Sequence, residues 1–94
     1  MLEIVRTSPT EVMLKGRMDA TQSASAFEQF DKLEGSCTVH FDHLEYISSA
    51  GLSVLLHTQQ RLSDSGGEIK LRGLNPHVRM VFDIAGFDSI FDIA

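Results

Sequence analysis

Cys37-Thr38-Val39-His40-Phe41-Asp42 alternates apolar residues with polar or titratable ones, the period of a strand whose successive side chains point to opposite faces of a sheet. One face of this strand is wholly apolar and the other is mixed. Ile69 and Leu71 alternate with Glu68, Lys70 and Arg72 in the same manner. Parallel strands sandwiched between two helical layers read as nearly continuous apolar runs. Thr38, His40, Lys70 and Arg72 on one face therefore predict a sheet covered by helices on the other face only, a two-layer α/β domain.

Outward from that strand, Leu2-Glu3-Ile4-Val5-Arg6 and Glu11-Val12-Met13-Leu14-Lys15 flank Thr7-Ser8-Pro9-Thr10. The Ser-Pro pair favours a turn, so the two segments read as an opening β-hairpin. Asp19 before Ala20-Thr21-Gln22 places an N-cap with Gln at the third helical position. Ala24, Phe27, Phe30 and Leu33 follow at near-helical spacing, predicting a helix over 20–34 that Gly35 stops. After the strand from Cys37 and a short loop, a second helix carries Leu52, Leu55, Leu56 and Leu62 as its apolar stripe and ends at Asp64-Ser65-Gly66-Gly67. Asn75-Pro76 is a cap followed by Pro at the first helical position, and Val78, Val81, Phe82 and Ala85 lie at i, i+3, i+4, i+7 before Gly86. Ile90-Phe91-Asp92-Ile93-Ala94 is long enough for a short terminal strand. The order β-β-α-β-α-β-α, with that strand in addition, implies a mixed sheet: an antiparallel hairpin continued by right-handed parallel crossovers.

The 94 residues are 43% apolar and 22% charged, with six Phe and one Tyr, enough to bury the core of one ordinary domain over 1–94 and too apolar for disorder. Thirteen Asp and Glu against eight Lys and Arg give a formal charge of −5 without a basic stripe, which argues against nucleic-acid binding and anionic membranes. No apolar run reaches membrane-spanning length, and the start has no basic segment, apolar stretch or small-residue cleavage site. The single Cys37 can form neither an internal disulfide nor, alone, a structural zinc site, and a lone thiol suits a reducing compartment. A cytoplasmic protein is expected.

Chemistry concentrates in Tyr46-Ile47-Ser48-Ser49-Ala50-Gly51-Leu52, where the second helix begins. A serine there can cap the free backbone N–H groups of the first turn. A phosphorylated serine would face the same N–H groups and the positive end of the helix dipole. Both readings use one geometry. Ser49-Ala50-Gly51 also matches the second half of a G-x-S-x-G nucleophile elbow, but Ile47 stands where the first Gly belongs, and such hydrolases need a far longer chain. His40, His43, His57 and His77 fall in no metal-ligand spacing and read as surface or hydrogen-bonded residues, so neither a metal nor another cofactor is expected. Gly66-Gly67 precedes no Lys-Ser or Lys-Thr pair and follows a helix, so it is a helix stop instead of a phosphate loop. Phe27, Phe30, Met80 and Phe82 have helical spacing and read as the core and its margins, and the acidic residues are scattered. An enzyme is not expected.

With these residues in place, the chain resembles the STAS domain of bacterial anti-sigma-factor antagonists along nearly its whole length. The resemblance is carried by Leu14-Lys15-Gly16-Arg17-Met18-Asp19, Tyr46-Ile47-Ser48-Ser49-Ala50-Gly51-Leu52, Gly66-Gly67-Glu68, and Asn75-Pro76 through Phe82-Asp83-Ile84-Ala85-Gly86-Phe87. In that family the second helix opens with a motif resembling Asp-Ser-(Ser or Thr)-Gly-Leu, whose serine is phosphorylated by a partner anti-sigma factor that is itself a serine kinase. The resemblance implies Ser49 as the phosphorylated residue, with Ser48 standing for the family Asp and Ala50 for the Ser or Thr. It implies Asp19, Ser48, Ser49, Ala50 and Gly51 as the surface met by that kinase, a phosphatase as a further partner, and release of a sigma factor when the unphosphorylated protein binds. A second class keeps the fold and removes the phosphorylation: a STAS subunit of a bacterial lipid-transport ATPase complex. A third is an adaptor in a chemotaxis-like or two-component pathway regulated mainly by a phosphatase.

Overall fold

The computed structural model describes residues 2–94. Strands β1 (Leu2–Ser8) and β2 (Glu11–Met18) form the hairpin, followed by a 3-10 turn at Ala20–Gln22, helix α1 (Ser23–Phe30), β3 (Cys37–Ile47), α2 (Ser49–Asp64), β4 (Ile69–Arg72), α3 (Pro76–Ile84), a 3-10 turn at Phe87–Ser89, and β5 (Asp92–Ile93). The strands lie side by side in sequence order, β1 antiparallel to β2 and every later pair parallel. Each parallel connection thus steps one place in the same direction. Right-handed crossovers that all step one way set α1, α2 and α3 on a single face. The predicted two-layer mixed sheet is what forms, and the tail does add a strand, pairing Lys70 with Asp92 and Leu71 with Ile93.

The core lies between sheet and helices. Val12, Leu14, Val39, Phe41, Ile69 and Leu71 are buried on the helix side, while Thr38, His40, Lys70 and Arg72 are half-exposed on the open side. Phe82 of α3 makes edge-on contacts to Phe41 of β3 (centroids 6.0 Å apart) and to Phe91 before β5 (5.7 Å), the aromatic geometry favoured by ring quadrupoles.

Four expectations need correction. Helix α1 ends at Phe30 instead of 34 because Arg61 of α2 reaches across and donates from Nη2 to the carbonyls of Phe30 (2.9 Å) and Leu33 (2.8 Å). Those carbonyls are answered from another element, which lets the chain leave the helix and turn at Gly35, where φ is +68°. The buried side of this region is Ala26, Phe30 and Leu33, with Phe27 half-buried and Ala24 exposed. Asp19 does cap, accepting from the Thr21 N–H and hydroxyl, but it caps the 3-10 turn Ala20–Gln22, and α1 starts at Ser23 instead of 20 with no side-chain cap; the reciprocal bond from Gln22 does not form, and its Oε1 is buried without a partner among the described residues.

The third correction concerns β3, which runs to Ile47 and enters α2 without an intervening loop. Its pairing with β2 skips a residue between Met13–His40 and Lys15–His43, and again between Gly16–Leu44 and Arg17–Tyr46. Each bulge moves the buried position on by three, from Phe41 to Leu44 to Ile47, so the period of two disappears while the pairing continues. Fourth, α2 buries Gly51, Leu52, Val54, Leu55, Thr58 and Leu62, whereas Leu56 is half-buried. Thr58 is accommodated because its hydroxyl donates to the Val54 carbonyl at 2.8 Å. In α3, Asn75 caps Val78 N–H at 2.8 Å with Pro76 at the first helical position; Val78 and Phe82 are buried, Val81 half-buried and Ala85 exposed.

Arg61→Ala removes the donor from two carbonyls, and a hydrogen bond to a charged group is worth about 1.5–3 kcal/mol. A loss of that order should appear in urea denaturation, with faster amide exchange over residues 27–33. An unchanged midpoint would show that water replaces the guanidinium without cost.

Candidate functional site

The residues singled out at the start of α2 gather at the C-terminal ends of the parallel strands β2 and β3, the end where open α/β sheets place their sites. Met18 and Ile47 are paired in register, and Ser48 N–H donates to the Met18 carbonyl at 2.9 Å, stitching the cap of α2 to the end of β2. Asp19 follows Met18 directly, so the parallel register of β2 and β3 brings it to the same strand ends as the Ser48 cap, 29 positions away in sequence.

Ser48 is the N-cap. Its backbone is extended (φ −92°, ψ 173°), its Oγ accepts from Gly51 N–H at 3.2 Å, and its carbonyl accepts from Leu52 N–H at 2.9 Å. Its hydroxyl is therefore engaged in capping. Ser49, the first helical residue, has an exposed side chain, and Ala50 is half-buried. Gly51 is buried for a steric reason: a Cβ there would lie 2.8 Å from Ile47 Cγ1, 3.0 Å from Met18 Cγ and 3.1 Å from the Met18 carbonyl oxygen. The first turn of α2 can seat against the strand ends only because that position has no side chain.

The first turn of α2 contains no acidic residue, so the positive end of its dipole is unopposed within the helix. Asp19 is the nearby carboxylate from another element. The Thr21 hydroxyl, 2.6 Å from Asp19 Oδ1, and then the Thr21 N–H hold its carboxyl below the usual carboxylate range, so it stays ionised at neutral pH. Chemically, the site offers one free hydroxyl, Ser49, at a helix start with unpaired N–H groups, beside a fixed negative charge.

The Arg17 guanidinium lies over the Tyr46 ring, 4.5 Å from its centroid, a contact that sequence reading did not anticipate. Both residues precede the paired strand ends, but they meet only because the second bulge of β3 puts Arg17 opposite Tyr46. No local pattern encodes that. Among the histidines, His40 Nε2 lies 2.8 Å from Glu11 Oε1 and His57 Nε2 3.7 Å from Asp31 Oδ1. No group of three metal-ligating side chains gathers among the described residues. Cys37 is buried, and that burial pushes its thiol above the ordinary range. No described helix is long and apolar enough to cross a membrane.

Comparison with known proteins agrees with this architecture. Residues 5–92 match the family model described as "Mlab, STAS domain". Over 66 residues, 70% of this chain and 57% of the relative, it is 48% identical to BtrV of Bordetella bronchiseptica, whose name places it among anti-sigma factor antagonists. Over 51 residues, 54% of this chain and 47% of the relative, it is 35% identical to the anti-sigma-B factor antagonist of Bacillus subtilis. The matches thus span about half the length of these curated relatives. The structure of unphosphorylated SpoIIAA, an anti-sigma factor antagonist, superposes with a TM-score of 0.78 at 19% identity, covering 100% of this chain and 88% of that one. At that identity the likeness is one of fold.

Proposed function

We propose that this chain, which belongs to the STAS-domain family, acts as an anti-sigma-factor antagonist whose binding surface is the start of α2. The observation that carries the reading is the division of labour between the two serines. Ser48 spends its hydroxyl on the helix cap, and Ser49 leaves its own exposed on the same turn. The names of the two curated relatives support the same function. In this reading the unphosphorylated protein presents Asp19, Ser48, Ser49, Ala50 and Gly51 to an anti-sigma factor that is itself a serine kinase, and the sigma factor is freed. Phosphate on Ser49 adds about −1.5 to −2 charge at neutral pH, which a packed contact beside ionised Asp19 repels. No conformational change is needed, since the serine already lies on the contact surface. A phosphatase would reset it.

Ser48 occupies the place of the family aspartate and takes over the capping role that a carboxylate would have there. Intact-mass measurement and peptide sequencing of the endogenous protein, in cells with and without stress and with a Ser49→Ala strain beside them, test the switch. Phosphate on Ser49 that changes with condition is the expected result. Protein unmodified in every condition would remove the kinase step.

A second reading keeps the fold and removes the phosphorylation: a STAS subunit of a bacterial lipid-transport ATPase complex. Co-purification separates the two, because one predicts an anti-sigma kinase and the other a transporter ATPase.

A further inference from the structure

We propose that Thr21 is a positioning residue for the partner contact: it ties down one carboxylate oxygen of Asp19 so that the other is presented, already oriented, to a hydrogen-bond donor of the anti-sigma factor. This inference rests on the reading of function above and adds to it a residue outside the start of α2. Asp19 Oδ1 takes two hydrogen bonds from a single residue, from the Thr21 N–H at 3.0 Å and from the Thr21 hydroxyl at 2.6 Å. Asp19 Oδ2 takes none among the described residues. It is also not one of the buried side-chain atoms that lack a partner there, which are Gln22 Oε1 and Arg61 Nε, so Oδ2 opens to solvent.

The surroundings keep that carboxylate in place and leave it unneutralised. Gln22 N–H donates to the Asp19 carbonyl at 3.2 Å and closes the 3-10 turn that carries Thr21. Arg17, two residues before Asp19, lays its guanidinium over the Tyr46 ring, 4.5 Å from the centroid. No ion pair among the described residues uses either Arg17 or Asp19. The free oxygen therefore has no internal cation competing with a donor that arrives from outside. A carboxylate free to rotate would lose that freedom on binding, whereas one locked beforehand does not. Thr21 suits the task because a β-branched side chain has few χ1 positions, which fixes its hydroxyl. The turn buries none of its residues, so the hydroxyl of Thr21 serves no core.

Calorimetric titration of the full chain against the anti-sigma factor kinase that co-purifies with it tests the assignment. Thr21→Val, which keeps the shape and removes the hydroxyl, should weaken binding about three- to tenfold, and Thr21→Ser should bind as wild type. In an Asp19→Asn background Thr21→Val should cost nothing further, because the two act as one unit. On the free protein, the Asp19 side-chain carboxyl carbon followed by NMR should titrate at higher pH in Thr21→Val than in wild type or Thr21→Ser, since a donor to the charged form has been removed. Should Thr21→Val fold poorly by circular dichroism, Thr21→Ala carries the same predictions. Wild-type binding that Thr21→Val leaves unchanged, or losses that add fully in the Asp19→Asn background, overturn this inference alone. A wild-type chain that retains no anti-sigma factor kinase overturns the reading of function and this inference with it.

Discussion

Ser49→Asp is expected to weaken binding to the anti-sigma factor kinase by about a hundredfold or more, while Ser49→Ala binds as wild type and cannot be switched off. An unpaired charge enclosed in an interface costs several kcal/mol, and each 1.4 kcal/mol is tenfold in affinity. The variant also separates binding from folding. Ser49 is exposed at the first position of α2, where a carboxylate faces the positive end of the helix dipole and is neutral to favourable for the fold. Thermal unfolding should therefore be unchanged or slightly raised while calorimetric titration against the purified kinase loses its signal. Equal affinity for wild type and Ser49→Asp would remove charge repulsion as the basis of the switch.

Phe82→Ala should cost about 3–5 kcal/mol, the range for a buried Phe truncated in a core that cannot close over the gap. The site is poorly able to close. Phe82 has no exposed surface, and the rings on either side of it, Phe41 and Phe91, belong to β3 and to the segment leading into β5. At roughly 4–8 °C per kcal/mol for a domain this size, the midpoint should fall by about 12 °C or more. Because β5 pairs through only two residues, its amides should lose exchange protection before those of β2 and β3. A drop below about 1 kcal/mol would mean that Phe91 swings into the space and the core repacks.

Much of this molecule is readable from local pattern. The hairpin, the caps at Asp19 and Asn75, a serine cap somewhere in Ser48-Ser49, the stop at Gly66-Gly67, the short terminal strand and the one-sided helical layer all follow from spacing, capping chemistry and the half-polar strands. The importance of the Ser48–Gly51 turn was also visible, because small residues at a helix start are conspicuous. Other features had no local signal. That Ser48 and not Ser49 holds the cap depends on where β3 ends, and the need for glycine at 51 depends on Met18 and Ile47 arriving at the same point. The reach of Arg61 to α1 is set by how two helices pack.

The sequence by itself determined the class of fold and the side of the sheet that is buried, since alternation and capping act over a few residues and survive without knowledge of neighbours. Only the tertiary structure decided where β3 stops, where α1 stops, and which residues meet at the start of α2. Two bulges keep β3 hydrogen-bonded to β2 while breaking its alternation, and a guanidinium from α2 answers the last carbonyls of α1. Each of these outcomes satisfies backbone groups with partners about twenty-five to thirty residues away in sequence, and a periodicity measured along one segment carries no information about them.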